Sequence, residues 1–434
     1  MIIRGGTVVT ARGVDRSDIA ITGDQITAVG PNLADEGEEI DATGLHVFPG
    51  GIDSHVHFNE PGRTEWEDIA HGSAALAAGG YTSFIDMPLN NLPVTTGVAA
   101  FDLKLEAMKR SARLDFGLWG GLVPGNLDQL EPLAKRGVIG FKAFMCPSGI
   151  DEFPASDLHT LREGMKRIAA LGSILLVHAE DPARLLEPMG SGALDFIRSR
   201  PPEAERAAIS HAIELADATG CRLHLVHVST ARGMTLIREA QQRGLDVSGE
   251  TCPHYLLYVE EDLARIGGTA KCAPPFRTAG DREALWATPM VVSDHSPSTL
   301  ELKRGDDFLK IWGGISSCQS TRQLLLFQNR LELVDVAAVT SANIARRFGL
   351  EGKGAIATGY DADIWLVDLS HEDFVRNEEL LYRNPFSVHE GQPIRGRTER
   401  TLLRGETVFV DGKPTTTKPN GRLLRPSRGA VTRH

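Results

Sequence analysis

Short apolar runs alternate with longer helical stretches through the middle of the chain. In residues 203–220, Ala, Ile and Leu recur at three- and four-residue spacing and Gly220 ends the pattern, as in an amphipathic helix. The runs of strand length are residues 51–57, 81–87, 115–121, 138–144, 173–179, 222–228, 246–252 and 290–294. Repeated strand–helix units are typical of a parallel sheet, and eight of them predict a TIM-like (β/α)8 barrel over residues 49–349.

The two ends of the chain have a different pattern. Residues 1–48 contain β-branched runs punctuated by Gly and Asp, and similar runs return at 361–369 and 400–412. Such runs are typical of short strands joined by turns. We therefore expect residues 1–48 and 350–414 to form one small β-sandwich domain, with the barrel inserted between them.

The last segment, residues 415–434, contains five Lys or Arg side chains and no acidic residue. We expect a basic, solvated and disordered tail, and a subunit-contact arm is the alternative.

Composition limits the possible partners and the compartment. The chain has 57 acidic and 46 basic residues and a net charge of −11, which disfavours nucleic acid and anionic membrane surfaces. Its five cysteines are far apart and form no CxxC pair, which favours a reducing compartment. The N-terminus lacks the apolar core of a signal peptide, and no stretch is long and apolar enough to span a membrane. We expect a cytoplasmic protein.

Side chains able to bind metal lie at or near the C-terminal ends of the predicted strands. In a parallel barrel these ends form one mouth, so residues far apart in sequence converge there. His55 and His57 are two residues apart on one strand and point to the same side. Neutral imidazole and carboxylate are ligands that Zn²⁺ accepts. The predicted metal-binding set is His55, His57, Lys142, His178, His227 and Asp294.

A single histidine is more often a hydrogen-bonded structural residue than a metal ligand. We give that interpretation to His71, His159, His211 and His371, because none of them lies at a predicted strand end. The metal-site prediction depends on the joint placement of the six residues, since an isolated HxH pair also occurs by chance.

Lys142 is the unusual member of the set, because an ammonium group beside two divalent cations would be repelled. Burial and nearby positive charge both favour the free amine. A free amine reacts with carbon dioxide to give a carbamate, an anion whose two oxygens can bridge two metal ions. The flanking sequence GFKAF offers no carboxylate for a salt bridge, which is the alternative, and so favours the carbamate.

Several segments together resemble the cyclic amidohydrolases, a family that includes dihydroorotases, hydantoinases or dihydropyrimidinases, and allantoinases. The resemblance extends from about residue 1 to 412 and is carried by residues 48–68, 77–90, 140–153, 177–181, 224–230, 249–256, 271–277, 291–297 and 353–368. It implies a homo-oligomer, with a tetramer as the expected form. It also implies two divalent metal ions per subunit, with Zn expected first and Mn or Co as alternatives, bridged by carbamylated Lys142.

The resemblance also divides the predicted ligands between the two ions and assigns the proton transfer. His55, His57 and Asp294 would hold the more buried ion, and His178 and His227 the more exposed one. Asp294 would be the catalytic residue, acting first as base and then as acid.

Three motifs are similar to the allantoinase branch of the family: HFNEPGR (57–63), DMPLN (86–90) and WGGISS (312–317). Asn59 stands where dihydroorotases carry Arg, and Pro147 stands where hydantoinases carry Tyr. The similarity implies hydrolysis of the hydantoin-ring amide of allantoin to allantoate, a step of purine catabolism, with a cyclic ureide as the small-molecule partner. The expected substrate contacts are Asn59, Arg63, Asn90, Ser148 and Ser317.

Two other functions stay open at this point. Within the family, the alternative is dihydroorotase or hydantoinase (dihydropyrimidinase) activity. Outside the enzymes, the alternative is a metal-binding barrel scaffold without turnover. Only seven residues separate Trp286 from Asp294, fewer than in similar proteins, so we also expect a short connection before the eighth strand.

Overall fold

The computed structural model describes residues 1–34, 37–415 and 418–427. The strands are β1 (Ile2–Thr10), β2 (Gly13–Thr22), β3 (Gln25–Gly30), β4 (Glu39–Asp41), β5 (His46–Pro49), β6 (Gly51–Val56), β7 (Tyr81–Asp86), β8 (Asp115–Leu118), β9 (Gly120–Gly121), β10 (Phe141–Phe144), β11 (Ile174–His178), β12 (Arg222–Leu225), β13 (Val247–Gly249), β14 (Ile364–Phe374), β15 (Pro393–Leu403), β16 (Glu406–Val410) and β17 (Lys413–Pro414). The α-helices are α1 (Ile69–Ala78), α2 (Val98–Ser111), α3 (Leu130–Arg136), α4 (Leu158–Ala170), α5 (Ala193–Ser199), α6 (Pro202–Thr219), α7 (Ala231–Gln242), α8 (Pro253–Leu257), α9 (Glu260–Ile266), α10 (Ala279–Leu285), α11 (Thr321–Gln328), α12 (Leu333–Ala337) and α13 (Asn343–Phe348).

Two parallel sheets form the middle of the chain. One has the strand order β6-β7-β8 and the other the order β13-β12-β11-β10-β9. A single residue, Trp119, separates β8 from β9, so the predicted third strand passes from one sheet into the other. Every residue of β6, β7, β8, β10 and β11 is buried, as expected for parallel strands covered on both faces. Seven of the eight predicted strands are therefore present.

The eighth predicted strand, residues 290–294, is not formed, and that prediction is wrong. Val291 makes only an isolated parallel bridge to Thr251, and His295 makes one to Val56. Helix α10 ends at Leu285, and Pro289 has no amide hydrogen to donate to a ladder, so little chain remains for strand pairing. The two bridges nevertheless connect this segment to the five-stranded sheet on one side and to the three-stranded sheet on the other.

Both chain ends build one further sheet of nine strands. Its order is β17-β16-β15-β14-β5-β1-β2-β3, with β4 paired to β1. The N-terminal and C-terminal parts meet where β5 pairs antiparallel with β14, for example Val47 with Leu366. Val8, Ile19 and Leu402 pack with these two residues in a separate buried apolar cluster. The expectation of a sheet-rich domain made by both ends is therefore confirmed.

Residues 418–427 pack against the barrel region and are not a solvated tail. The backbone amide of Gly421 donates to the carbonyl of Ala112 at 3.0 Å, and that of Leu424 donates to Phe116 at 2.7 Å. Leu423 and Leu424 also lie against the main apolar core. The expectation of a disordered tail is wrong for this stretch. It was based on the basic residues, whereas the two adjacent leucines pack against the core. Residues 416, 417 and 428–434 of that predicted tail lie outside the described residues.

Two features relate to the expected compartment. All five cysteines are buried and free. Among the residues that the structure describes, no helix combines the length and the apolar character required to span a membrane.

Candidate active site

One cavity contains all six predicted metal ligands. It has a volume of about 350 Å³ and lies at the C-terminal ends of the parallel strands. The six are His55, His57, Lys142, His178, His227 and Asp294. Apolar side chains and the loop of residues 309–314 form much of the remaining wall. The fold therefore brings together residues from five separate segments of the chain, and their role as ligands stays a prediction.

Two of the six occupy an uncommon backbone conformation. His227 follows β12 and has φ 38°, and Asp294 lies in the irregular eighth segment with φ 46°. A positive φ costs free energy for a residue with a side chain, and such residues concentrate at functional sites. Both side chains line the cavity.

The first cluster joins His55, His57 and Asp294. The Nε2 atoms of His55 and His57 lie 3.2 and 3.4 Å from the same Asp294 oxygen, Oδ1. The other ring nitrogen of His55, Nδ1, lies 2.6 Å from Oε1 of buried Glu250. Burial lowers the pKa of His55 well below its ordinary value, so the ring is neutral. Because Nδ1 faces Glu250, Nε2 is the ring atom that faces Asp294 and is free to bind a metal ion in the tautomer that carries its hydrogen on Nδ1.

The second cluster joins His178 and His227. Nδ1 of His178 lies 3.0 Å from Nε2 of His227, and Nε2 of His178 lies 2.8 Å from Oε2 of Glu180. Arg200 Nη1 contacts the same Glu180 oxygen at 2.5 Å. Burial lowers the pKa of both histidines, which keeps their rings neutral and able to bind a cation.

The two glutamates behind these histidines differ in their ionisation. Burial raises the pKa of Glu250 to about 8, even though the Lys142 charge acts to lower it. Burial would also raise the pKa of Glu180, but the Arg200 charge and the hydrogen bond from His178 outweigh it and lower the pKa to about 2. Glu180 is therefore a carboxylate at any pH at which the protein would be assayed.

Lys142 lies on β10, and its charge acts on His55 in the first cluster and on His178 and His227 in the second. Its side chain is fully buried, and its Nζ has no hydrogen-bond partner among the described residues. Burial lowers the pKa of Lys142 to about 8, although Asp294 and Glu250 act in the opposite direction. The amine is therefore accessible near neutral pH, as carbamate formation requires.

The donor set fits a pair of divalent metal ions. Four imidazoles, the carboxyl group of Asp294 and the amine of Lys142 face one cavity, and the amine nitrogen has no hydrogen-bond partner in the described chain. Buried polar atoms are rarely left without a partner in native proteins. Three of the ligand atoms, from His55, His57 and Asp294, lie within 4.8 Å of one another. Divalent cations bound in the cavity would be coordinated by these ligand atoms.

The predicted substrate contacts separate into two groups. Asn90 and Ser148 line the cavity, and Nδ2 of Asn90 lies 3.3 Å from Nδ1 of His57. Asn59, Arg63 and Ser317 do not line it. Arg63 donates to the backbone carbonyl of Asn90 at 3.2 Å, and Ser317 Oγ lies 3.1 Å from His389. The role of these three residues as substrate contacts stays a prediction.

Sequence reasoning missed four polar residues of the site: Glu180, Arg200, Glu250 and Lys271. Glu180 had a usable signal, because it lies two residues after His178 in the VHAED segment. Lys271 lines the cavity, and its Nζ donates to the carbonyls of Leu309 and Ile311 at 2.8 and 2.6 Å, which holds the loop of residues 309–314 in place. Arg200 and Lys271 reach the site from irregular segments and had no periodic signal.

Comparison with known proteins agrees with this geometry. Residues 46–413 match the model of the amidohydrolase family, and the chain belongs to that family. The family is metal-dependent, in agreement with the ligand-competent clusters described above.

Two curated relatives are allantoinases. The allantoinase of Rubrobacter xylanophilus is 50% identical to this chain over 99% of the chain and 98% of the relative. The allantoinase of Solibacter usitatus is 48% identical over 98% and 96%. The family resemblance and the branch suggested by the motifs are both confirmed.

Solved structures show the same architecture. L-hydantoinase (dihydropyrimidinase) from Arthrobacter aurescens has a TM-score of 0.94 at 30% identity, over 98% of this chain and 99% of that one. Dihydropyrimidinase from Brevibacillus agri has a TM-score of 0.90 at 30% identity, over 99% of both chains.

Proposed function

We propose that this chain hydrolyses the hydantoin-ring amide of allantoin to allantoate. The observation that carries the proposal is the near full-length identity, up to 50%, to proteins named allantoinase, in a chain whose cavity is lined by all six predicted ligands. In the reaction, water adds to the ring carbonyl, the carbon–nitrogen bond breaks, and the leaving nitrogen takes a proton.

The proposed site holds two divalent metal ions, with zinc expected first. His55, His57 and Asp294 would bind one ion, His178 and His227 the other, and carbamylated Lys142 would lie between them. When bound, the ions would activate water and polarise the ring carbonyl. Asp294 lies in the cavity with a side chain that is 15% exposed, and it would accept the proton of the water and return it to the leaving nitrogen.

The alternatives have less support. The hydantoinase structures are similar at 30% identity, which is lower than the identity to the allantoinases. Pro147 lines the cavity where hydantoinases carry Tyr, which disfavours hydantoinase activity. The argument against dihydroorotase activity from Asn59 is weaker than the motif suggested, because Asn59 does not line the cavity. A metal-binding scaffold without turnover has less support, because relatives that match nearly the whole chain at up to 50% identity are named allantoinases.

We also propose that residues 49–349 close into a barrel in which the irregular segment 290–295 takes the place of the eighth strand, with residues 1–48 and 350–414 forming the β-sandwich domain. The isolated bridges from Val291 to Thr251 and from His295 to Val56 support closure, because they connect the eighth segment to both neighbouring sheets. A cytoplasmic homotetramer is the expected state, and light scattering after gel filtration measures its mass.

A substrate panel tests the proposed function. We expect kcat/KM to be highest for allantoin, lower for hydantoin and lowest for dihydroorotate, with dihydrouracil included as a fourth substrate. A site built for the ureido arm leaves buried polar groups unpaired when the arm is missing, and such losses discriminate strongly. Asn90 and Ser148 are cavity-lining candidates for these hydrogen bonds. If dihydroorotate is the best substrate, the assignment is wrong.

A further inference from the structure

The two ring nitrogens of His178 face two different residues, Glu180 and His227. Nε2 is 2.8 Å from Oε2 of Glu180, and Nδ1 is 3.0 Å from Nε2 of His227. A neutral imidazole carries one hydrogen, and an ionised carboxylate can only accept. The hydrogen of His178 is therefore on Nε2, which leaves the lone pair of Nδ1 directed at His227.

Glu180 is itself held in place. Arg200 Nη1 lies 2.5 Å from Oε2, the same oxygen that accepts from His178. Glu180 is fully buried, whereas the Arg200 side chain is 20% exposed and lines the cavity. The backbone carbonyl of Arg200 accepts a hydrogen bond from Arg277 Nη1 at 2.6 Å, so the segment between α5 and α6 is anchored at this point.

We propose that Glu180 is a positioning residue that fixes His178 as an Nδ1 ligand, and that Arg200 keeps Glu180 in place for this purpose. The pair would thereby set the occupancy of the metal position formed by His178 and His227. This inference rests on the proposed function, because it requires two metal positions. Carboxylates that orient a ligating histidine commonly change metal affinity by 10- to 100-fold when they are removed.

The test compares Glu180→Gln with the wild-type protein. Both are loaded with zinc and dialysed against a graded series of chelator concentrations, and zinc per chain is measured by mass spectrometry of the digested protein. We expect a window of chelator concentration in which wild type retains two ions and Glu180→Gln retains one. The zinc titration that restores allantoin hydrolysis should shift by about 10- to 100-fold in the variant.

Glu205→Gln is the matched control. Glu205 is also a buried glutamate, and it accepts hydrogen bonds from the backbone amide and hydroxyl of Ser229 without contacting a predicted ligand. Its zinc titration should follow wild type. The thermal unfolding midpoint of each metal-free variant, measured beside wild type, separates a loss of folding from a loss of metal.

The possible outcomes separate the two proposals. A Glu180→Gln protein that keeps two zinc ions at the wild-type titration midpoint overturns the positioning role. An equal shift in Glu205→Gln also overturns it, because the effect would then be general. A wild-type protein that binds two zinc ions and leaves allantoin intact overturns the proposed function alone, and the difference in zinc retention would still support the role of Glu180.

Discussion

His55 and His178 are oriented by the same arrangement on opposite sides of the cavity. Each ring places one nitrogen against a buried glutamate and directs the other nitrogen at a second predicted ligand. The two glutamates differ in the second side chain that each one contacts. Glu250 contacts the neutral ring of His224 at 3.0 Å, whereas Glu180 contacts the charged group of Arg200.

This difference teaches that hydrogen-bond geometry and charge can be set independently. Both carboxyl groups can orient a histidine, but burial raises the pKa of Glu250 to about 8, whereas the Arg200 charge lowers that of Glu180 to about 2. In the metal-free protein, the glutamate behind the first cluster therefore changes its charge near neutral pH, whereas the glutamate behind the second cluster does not. Four predictions test this contrast, from the largest expected effect to the smallest.

Lys142→Ala should affect both clusters, because the charge of Lys142 acts on His55 in the first cluster and on His178 and His227 in the second. We expect activity to be lost together with the second metal ion, and to return in part when a short carboxylic acid occupies the bridging position. The measurements are allantoin hydrolysis and metal content with and without the added acid. A variant with wild-type rate and two metal ions per chain would exclude the carbamate.

Asp294→Asn affects the first cluster directly. We expect kcat to fall by at least about 10²-fold, the lower range for loss of general acid–base catalysis. Metal content measured on the same samples distinguishes loss of proton transfer from loss of the ion held with His55 and His57. A near-normal kcat would move the proton transfer to another residue, and the neighbouring His295 is the next candidate.

Glu250→Gln is the counterpart of Glu180→Gln. We expect it to weaken retention of the ion held by His55 by about 10- to 100-fold and to leave the ion of the other cluster in place. Cobalt-substituted protein reports which position is empty, because the two ligand sets have different absorption spectra. The same spectrum in both variants would show that the two glutamates do not act on separate positions.

The pH dependence of stability provides the fourth test, in metal-free protein. The ordinary pKa of glutamate is 4.5, so folded Glu250 keeps its proton up to about pH 8 after the unfolded chain has lost it. Stability contributed by this group therefore falls as pH rises from 4.5 to 8. Glu180 has the opposite sign, since its stabilisation grows between about pH 2 and 4.5 and stays constant above that range.

We accordingly expect Glu250→Gln to reduce the loss in unfolding temperature between pH 5 and 8. Glu180→Gln should lower the unfolding temperature by a constant amount over the same range. Scanning calorimetry in excess chelator measures both curves against wild type. Parallel curves for wild type and Glu250→Gln would contradict the raised pKa of Glu250.

Most of the barrel region and the convergence of the six predicted ligands on one cavity could be predicted, because strand ends carry a strong local signal. Buried parallel strands read as apolar runs, and the two-residue spacing of His55 and His57 fixes a common direction. Two of the four polar residues that the sequence reasoning missed could not be found in this way. Arg200 and Lys271 reach the cavity from irregular segments, and their positions depend on how distant loops pack.

Local motifs do not by themselves define a cavity wall. Asn59, Arg63 and Ser317 lie in segments that resemble the allantoinase branch, yet none of them lines the cavity, and their role as substrate contacts stays a prediction. The packed residues 418–427 were missed for a related reason. The basic residues of that segment predicted that it would be exposed to solvent, whereas Leu423 and Leu424 pack against the apolar core and determine its position.

The pairing of β5 with β14 has a consequence for synthesis of the protein. Val47 and Leu366 are partners in the sheet, but roughly 300 residues separate them, which at about 5–20 residues per second corresponds to about 15–60 s on the ribosome. During that time β5 has an unpaired edge, the kind of surface at which nascent chains associate wrongly. Production at lower temperature or with added chaperones should therefore increase the yield of this protein more than that of a domain whose strands pair in order.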